Sequence, residues 1–195
     1  MKKHWLVGAM GLGALLLVLL AEFGVKATED GRGGFSFPSD PALELVRLSF
    51  TGGTMQGRTE YSLFADGRLL VAKYETEAGE KTTVLARKES SVNHRRINEV
   101  LQHLVDCGFA DLGDARRRQL EELRPAYFSS DAGTTWLDLR LPSYRGPTAI
   151  SDRSVETSFS LRGGLEGWVS SHPAVPEFRC LQDLVPMLRK LEGES

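Results

Sequence analysis

The rhythm of apolar and polar positions changes several times along the chain, and each change marks an element. The first stretch has no rhythm at all. Lys2 and Lys3 lead into an uncharged run from Trp5 to Ala21 that includes Leu15-Leu16-Leu17-Val18-Leu19-Leu20. Further on, Val46, Leu48 and Phe50 alternate with Arg47 and Ser49, which predicts a half-buried strand. Tyr61 to Phe64 and Leu69 to Tyr74 flank Asp66-Gly67 and predict a two-residue hairpin, because glycine accepts a positive φ. Ala78-Gly79-Glu80 predicts a second turn, leading into a β-branched segment from Thr82 to Ala86. The first half thus opens as an antiparallel meander of four strands.

The period then becomes helical. Ile97, Val100, Leu101 and Leu104 form an i, i+3, i+4, i+7 stripe in a helix from Asn93 to Cys107, and Gly108 stands where a left-handed residue ends it. A short exposed helix is predicted from Ala115 to Leu123, with Arg116-Arg117-Arg118 and Glu121-Glu122 on a solvated, charged face. Asp131-Ala132-Gly133 turns the chain into a strand from Thr134 to Leu141, and Val155 to Leu161 predicts another. A last helix starts at Pro176, a suitable first-turn proline. Its stripe is Leu181, Leu184, Val185 and Leu188, and Pro186 on the opposite face predicts a bend without a break. Nothing alternates strand and helix as a doubly wound sheet would. The fold class is therefore α+β: an antiparallel sheet, four strands of meander plus two or more later ones, with two amphipathic helices packed on one face.

The N-terminal pattern bears on destination. Positive charge, an apolar run and small residues at Val25-Lys26-Ala27 have the layout of a secretory signal, with cleavage expected between Ala27 and Thr28. The apolar run is about 17 residues, near the lower limit for a membrane-spanning helix, so it could also persist as an anchor. Either fate exports the rest, since the lysines hold the N-terminus on the cytoplasmic side. The paired lysines and short leader suggest a bacterial envelope. Residues 1–27 are thus a signal peptide or membrane anchor, and 28–40, with Gly31 to Gly34 and Pro38, a flexible linker. Residues 41–193 make a single globular domain, long enough for a real core.

Charge excludes one class of partner. The whole chain carries a formal net charge of −2, and losing the leader makes it more acidic. No basic excess is available for a nucleic acid. Any membrane contact would run through the N-terminal segment alone.

The exported part keeps two cysteines, Cys107 and Cys180, each at the edge of a helical stripe. Stripe-to-stripe packing would join them as a disulfide, as an oxidising compartment favours. Two separate buried thiols would fit the same pattern.

Catalytic signals are sparse. Gly52-Gly53-Thr54-Met55-Gln56-Gly57-Arg58-Thr59 has phosphate-loop spacing with arginine for lysine, but it feeds Tyr61-Ser62-Leu63-Phe64, a strand, so no helix N-terminus would hold the anion. His94 and His103 are not spaced as a zinc pair, His103 reads as a surface residue and His172 as a loop residue. Ser129-Ser130-Asp131 and Ser151-Asp152-Arg153-Ser154 read as turns. Trp136 and Trp168 are candidates for lining a sugar or peptide groove. No catalytic residue, metal ligand or cofactor site is assigned.

The order of segments carries one resemblance. A strand enters a glycine-rich loop, then Glu60-Tyr61-Ser62-Leu63-Phe64-Ala65-Asp66-Gly67-Arg68-Leu69 makes a Tyr-x-Leu-x-x-Asp-Gly hairpin, followed by the helix at Ile97 to Phe109 and by Asp131-Ala132-Gly133-Thr134-Thr135 before a strand. Over most of Leu43 to Gly163 this resembles a family of small bacterial secreted or lipoprotein domains of unknown function. The resemblance implies a fold type and an envelope location, and brings no catalytic residues. The expectation is an exported envelope or extracellular protein acting as a binding or structural module for a partner in that compartment. The alternative is a small secreted hydrolase whose site is assembled from scattered residues.

Overall fold

The computed structural model describes residues 33–51, 57–76, 82–125 and 133–193. The leader with its Ala27–Thr28 junction, the first five residues of the linker, most of the glycine-rich loop, the Ala78-Gly79-Glu80 turn and Ser129-Ser130-Asp131 lie outside them.

Among these residues, seven strands form one antiparallel sheet. They are β1 (Gly34–Ser36), β2 (Glu44–Thr51), β3 (Gly57–Phe64), β4 (Arg68–Thr76), β5 (Thr82–Ser91), β6 (Thr134–Arg145) and β7 (Arg153–Arg162). β2 to β5 are the expected meander, and β6 inserts beside β2 while β7 pairs with its other edge. β1 shares the β2 edge of β6, because Tyr144 pairs with Phe35 and with Arg153 at once and a strand has only two edges. Part of the stretch read as a flexible linker is therefore a strand. Gly33, just before it, lies so close over Tyr144 that any Cβ there would meet the phenol ring.

The helices are α1 (His94–Asp106), α2 (Asp114–Glu122), α3 (Leu165–Ser171) and α4 (Pro176–Gly193), with a 3₁₀ turn at Phe109–Asp111. Asn93 caps α1 by accepting a hydrogen bond from the Arg96 amide. Gly108 closes it at φ 83°, as its position predicts. The expected stripes form the core, except that in α4 Val185 is only half-buried and Phe178 is buried with the leucines. Ile97, Val100, Leu101 and Leu104 of α1 and Phe178, Leu181, Leu184 and Leu188 of α4 pack in one cluster with Leu48, Leu63, Leu69, Leu137 and Leu139 of the sheet. Facing strand residues obey the pleat: Val46 pairs with Leu139 and Leu48 with Leu137. Among the described residues, no helix is long and apolar enough to cross a membrane.

Three details differ from expectation. The Asp66-Gly67 turn has three loop residues, since the Gly67 amide donates to Phe64 O and β4 resumes at Arg68. Gly67 takes φ 90°, so it is the left-handed residue that follows a tight turn and starts a bulge. β6 runs four residues past Leu141 despite Pro142. A bulge between Leu141 and Tyr144 in the pairing with β7 lets the proline, which has no N–H, drop out of the ladder. The short helix α3 follows no pattern read in the sequence.

Candidate functional site

Cys107 and Cys180 are bonded, with Cα atoms 6.1 Å apart. Packing α1 on α4 brings the two stripe edges together, as the sequence pattern allowed. Cys107 caps the C-terminus of α1 and is half-buried; Cys180 lies on α4 and is 2% exposed.

His103 belongs to the same cluster, which corrects its reading as a surface residue. One helical turn before Cys107, its ring reaches across to α4. Nε2 lies 3.1 Å from the Cys180 carbonyl oxygen, 3.3 Å from Cys180 Sγ and 4.0 Å from Cys107 Sγ. A carbonyl oxygen only accepts, so this nitrogen carries a proton. His103, Cys107 and Cys180 also bring three potential metal-ligand atoms within 4.8 Å of one another. Joined as a cystine, the two sulfurs offer no thiolate, so in this state they are not metal ligands.

A second polar cluster ties the 3₁₀ turn to the sheet. The Tyr144 hydroxyl donates to Asp111 Oδ2, and Arg153 Nη2 donates to Asp111 Oδ1 at 2.7 Å and to Ala110 O at 3.0 Å. The Arg153 guanidinium sits 5.6 Å from the centre of the Tyr144 ring. Burial pushes the Tyr144 phenol well above its ordinary pKa, and donation to the Asp111 carboxylate adds to the rise. Arg153 opposes this only in part.

The remaining sequence candidates resolve into structural roles or surface. Asp152 accepts from Ser143 Oγ and Arg145 Nε, each at 2.7 Å, which holds its carboxyl below the usual range. These bonds run to side chains of β6 and not to nearby backbone, and Arg153 and Ser154 already belong to β7, so only Ser151 and Asp152 keep the loop position expected of this segment. Gly57 opens β3, so the glycine-rich loop does feed a strand. His172 ends α3 and its Nε2 meets Arg124 O at 2.7 Å. Trp168 borders a cleft of about 350 Å³ with Glu121, Arg124 and Ser160, but it is itself almost wholly buried. It is 3% exposed, donates Nε1 to Arg162 O at 3.0 Å and packs on Phe178. Arg116 keeps 38% of its side chain exposed on its face of α2, yet it is not free there. It grips Glu177 of α4 through both guanidinium arms.

Trp136 is different. It projects from the sheet face opposite the helices and is 39% exposed. Around it, Arg47, Ser49, Arg58 and Asp138 line a shallow depression of about 260 Å³. Arg47 bonds Glu44, Arg58 bonds Glu60 and Asp138 accepts from Ser158, so both arginines here have carboxylate partners within the sheet. Arg58 Nε is buried without a hydrogen-bond partner among the described residues. A larger cleft of about 550 Å³ lies at the end of β2 and β6 against α4, with Thr51, Thr134, Gln182 and Arg189 in its wall.

No family model matches the chain, and no curated protein matches it as a relative.

Proposed function

We propose that this is an exported envelope or extracellular domain that works as a binding module, and that it meets its partner with the uncovered face of its sheet. One observation carries the reading. Among the described residues the helices cover one face only, while the other presents Trp136, on the strand next to the sheet edge, over the depression lined by Arg47 and Arg58. An aromatic plane beside arginines that already have carboxylate partners suits a neutral polar ligand, a sugar ring or a peptide, better than a polyanion. Export is supported by the lysine-led apolar leader and by a cystine, a bond that persists in oxidising compartments. The likeness to small bacterial secreted domains points to the same location.

Two measurements test the reading. Alkaline phosphatase fused after residue 40 is active if the leader exports, and a stable inactive fusion refutes export. For the binding face, the chain has three tryptophans. In a Trp5→Phe, Trp168→Phe variant the emission reports Trp136 alone. Adding envelope polysaccharide or peptide fractions should shift that emission to the blue and shield it from quenching. An unmoved spectrum with every fraction removes the sheet face as the binding surface.

A further inference from the structure

The geometry points to a thiol–disulfide exchange site at the Cys107–Cys180 bond, in which Cys107 receives the incoming thiol and Cys180 departs toward the N–H of His103. This goes beyond the binding role and does not depend on it.

Three features give the bond a direction. The first is access: Cys107 is half-buried, whereas Cys180 is 2% exposed, so an external thiol meets Cys107 first. The second is the donor. His103 Nε2 carries a proton, since it faces the Cys180 carbonyl at 3.1 Å, and it stands nearer to Cys180 Sγ, at 3.3 Å, than to Cys107 Sγ, at 4.0 Å. A thiolate formed on Cys180 would find a hydrogen-bond donor already in place. The third is backbone electrostatics. Cys107 caps the C-terminus of α1, where partial negative charge opposes a thiolate, while Cys180, the fifth residue of α4, lies far from that helix's C-terminal end. The first decides which sulfur is attacked, and the other two favour Cys180 as the leaving group, since exchange is faster when the departing thiol is the more acidic one.

The reductant is a dithiol. One of its thiolates attacks Cys107 Sγ and forms a mixed disulfide. The Cys107–Cys180 bond breaks, and its electron pair leaves on Cys180, whose thiolate is held by His103 and then protonated. The second thiolate of the dithiol attacks the first sulfur, closes the partner's own disulfide and releases Cys107, which takes a proton. The partner loses two electrons and two protons, and the cystine gains both.

The experiment uses the full chain and two probes. Oxidised protein is mixed with glutathione, quenched in acid and mapped by peptide mass. The adduct should sit on Cys107; an adduct on Cys180, or an even split, overturns the assignment. The rate of reduction by dithiothreitol is then followed against pH for the native chain, His103→Ala and His103→Gln. Losing the donor should slow reduction about tenfold, the effect of one hydrogen bond to a charged sulfur. Glutamine, which keeps an N–H, should recover most of the rate. Equal rates in the native chain and a folded His103→Ala protein refute the role of His103. Should His103→Ala fail to fold, the adduct position and the rate of His103→Gln decide.

Discussion

Arg116 holds Glu177 by a two-armed contact, Nε to Oε1 at 2.7 Å and Nη2 to Oε2 at 2.9 Å, and so ties α2 to the first turn of α4. Glu177 is only 6% exposed, so its carboxylate depends on that guanidinium for solvation. Removing the arginine leaves a buried anion. Arg116→Ala should therefore cost about 2 kcal/mol, and Arg116→Lys, which cannot grip with two arms, should recover only part of it. Urea midpoints of the three proteins measure this. Equal midpoints would mean that water already solvates Glu177.

The cystine closes a loop spanning 73 positions. In the chain-entropy account such a cross-link contributes about 4 kcal/mol, mainly by restricting the unfolded chain. Cys107→Ser with Cys180→Ser should lower stability by about that amount. Oxidised native protein, denatured without reductant, should show no reactive thiol. Two titratable thiols would refute the bond.

Tyr144 makes stability sensitive to alkali. Its folded pKa lies above the unfolded value, so the folded state holds this proton more tightly. That contribution is fully present below the unfolded pKa of about 10 and declines as pH rises past it. Melting temperature should fall through this range, and less steeply in Tyr144→Phe. An ultraviolet titration of the native protein should find a phenol that ionises above the ordinary range, and it should be missing from Tyr144→Phe. If the slopes of the two proteins agree, Tyr144 is not the group responsible.

Gly67 combines φ 90° with a Cβ position 2.3 Å from the carbonyl oxygen of Val92. The close approach also holds a hydrogen bond, from the Val92 amide to Gly67 O at 2.7 Å. Gly67→Ala brings both a strained dihedral and a backbone clash, and should cost about 2 kcal/mol. A melting curve unchanged by alanine would discredit the turn geometry.

Much of the architecture was legible because it is written in local periods. Val46-Leu48-Phe50 repeats every second residue, and Ile97-Val100-Leu101-Leu104 every three to four, so strand and helix could be separated by counting. The edge positions of Cys107 and Cys180 even suggested which helices meet. Where the pattern was interrupted, reading stopped early. Pro142 hid the end of β6, because the bulge that tolerates it is a property of the pairing with β7.

The site was far less legible. His103 looked exposed by its place on α1, and only the crossing of α4 sets it against Cys180. Trp136 and Trp168 looked alike in sequence, yet Trp168 is sealed under Phe178 while Trp136 stands on the open face. Arg116 seemed one of three equivalent surface charges until Glu177 came within reach.

By itself, then, the sequence determined the order of the elements other than β1, the 3₁₀ turn and α3, the faces they bury and the apolar leader, since these depend on backbone propensity and on the repeat of apolar side chains. The tertiary structure alone decided which polar groups face each other: His103 and Cys180, Tyr144 and Asp111, Arg116 and Glu177. Each pair is distant along the chain, and no local period encodes a contact made only when two separately formed elements pack.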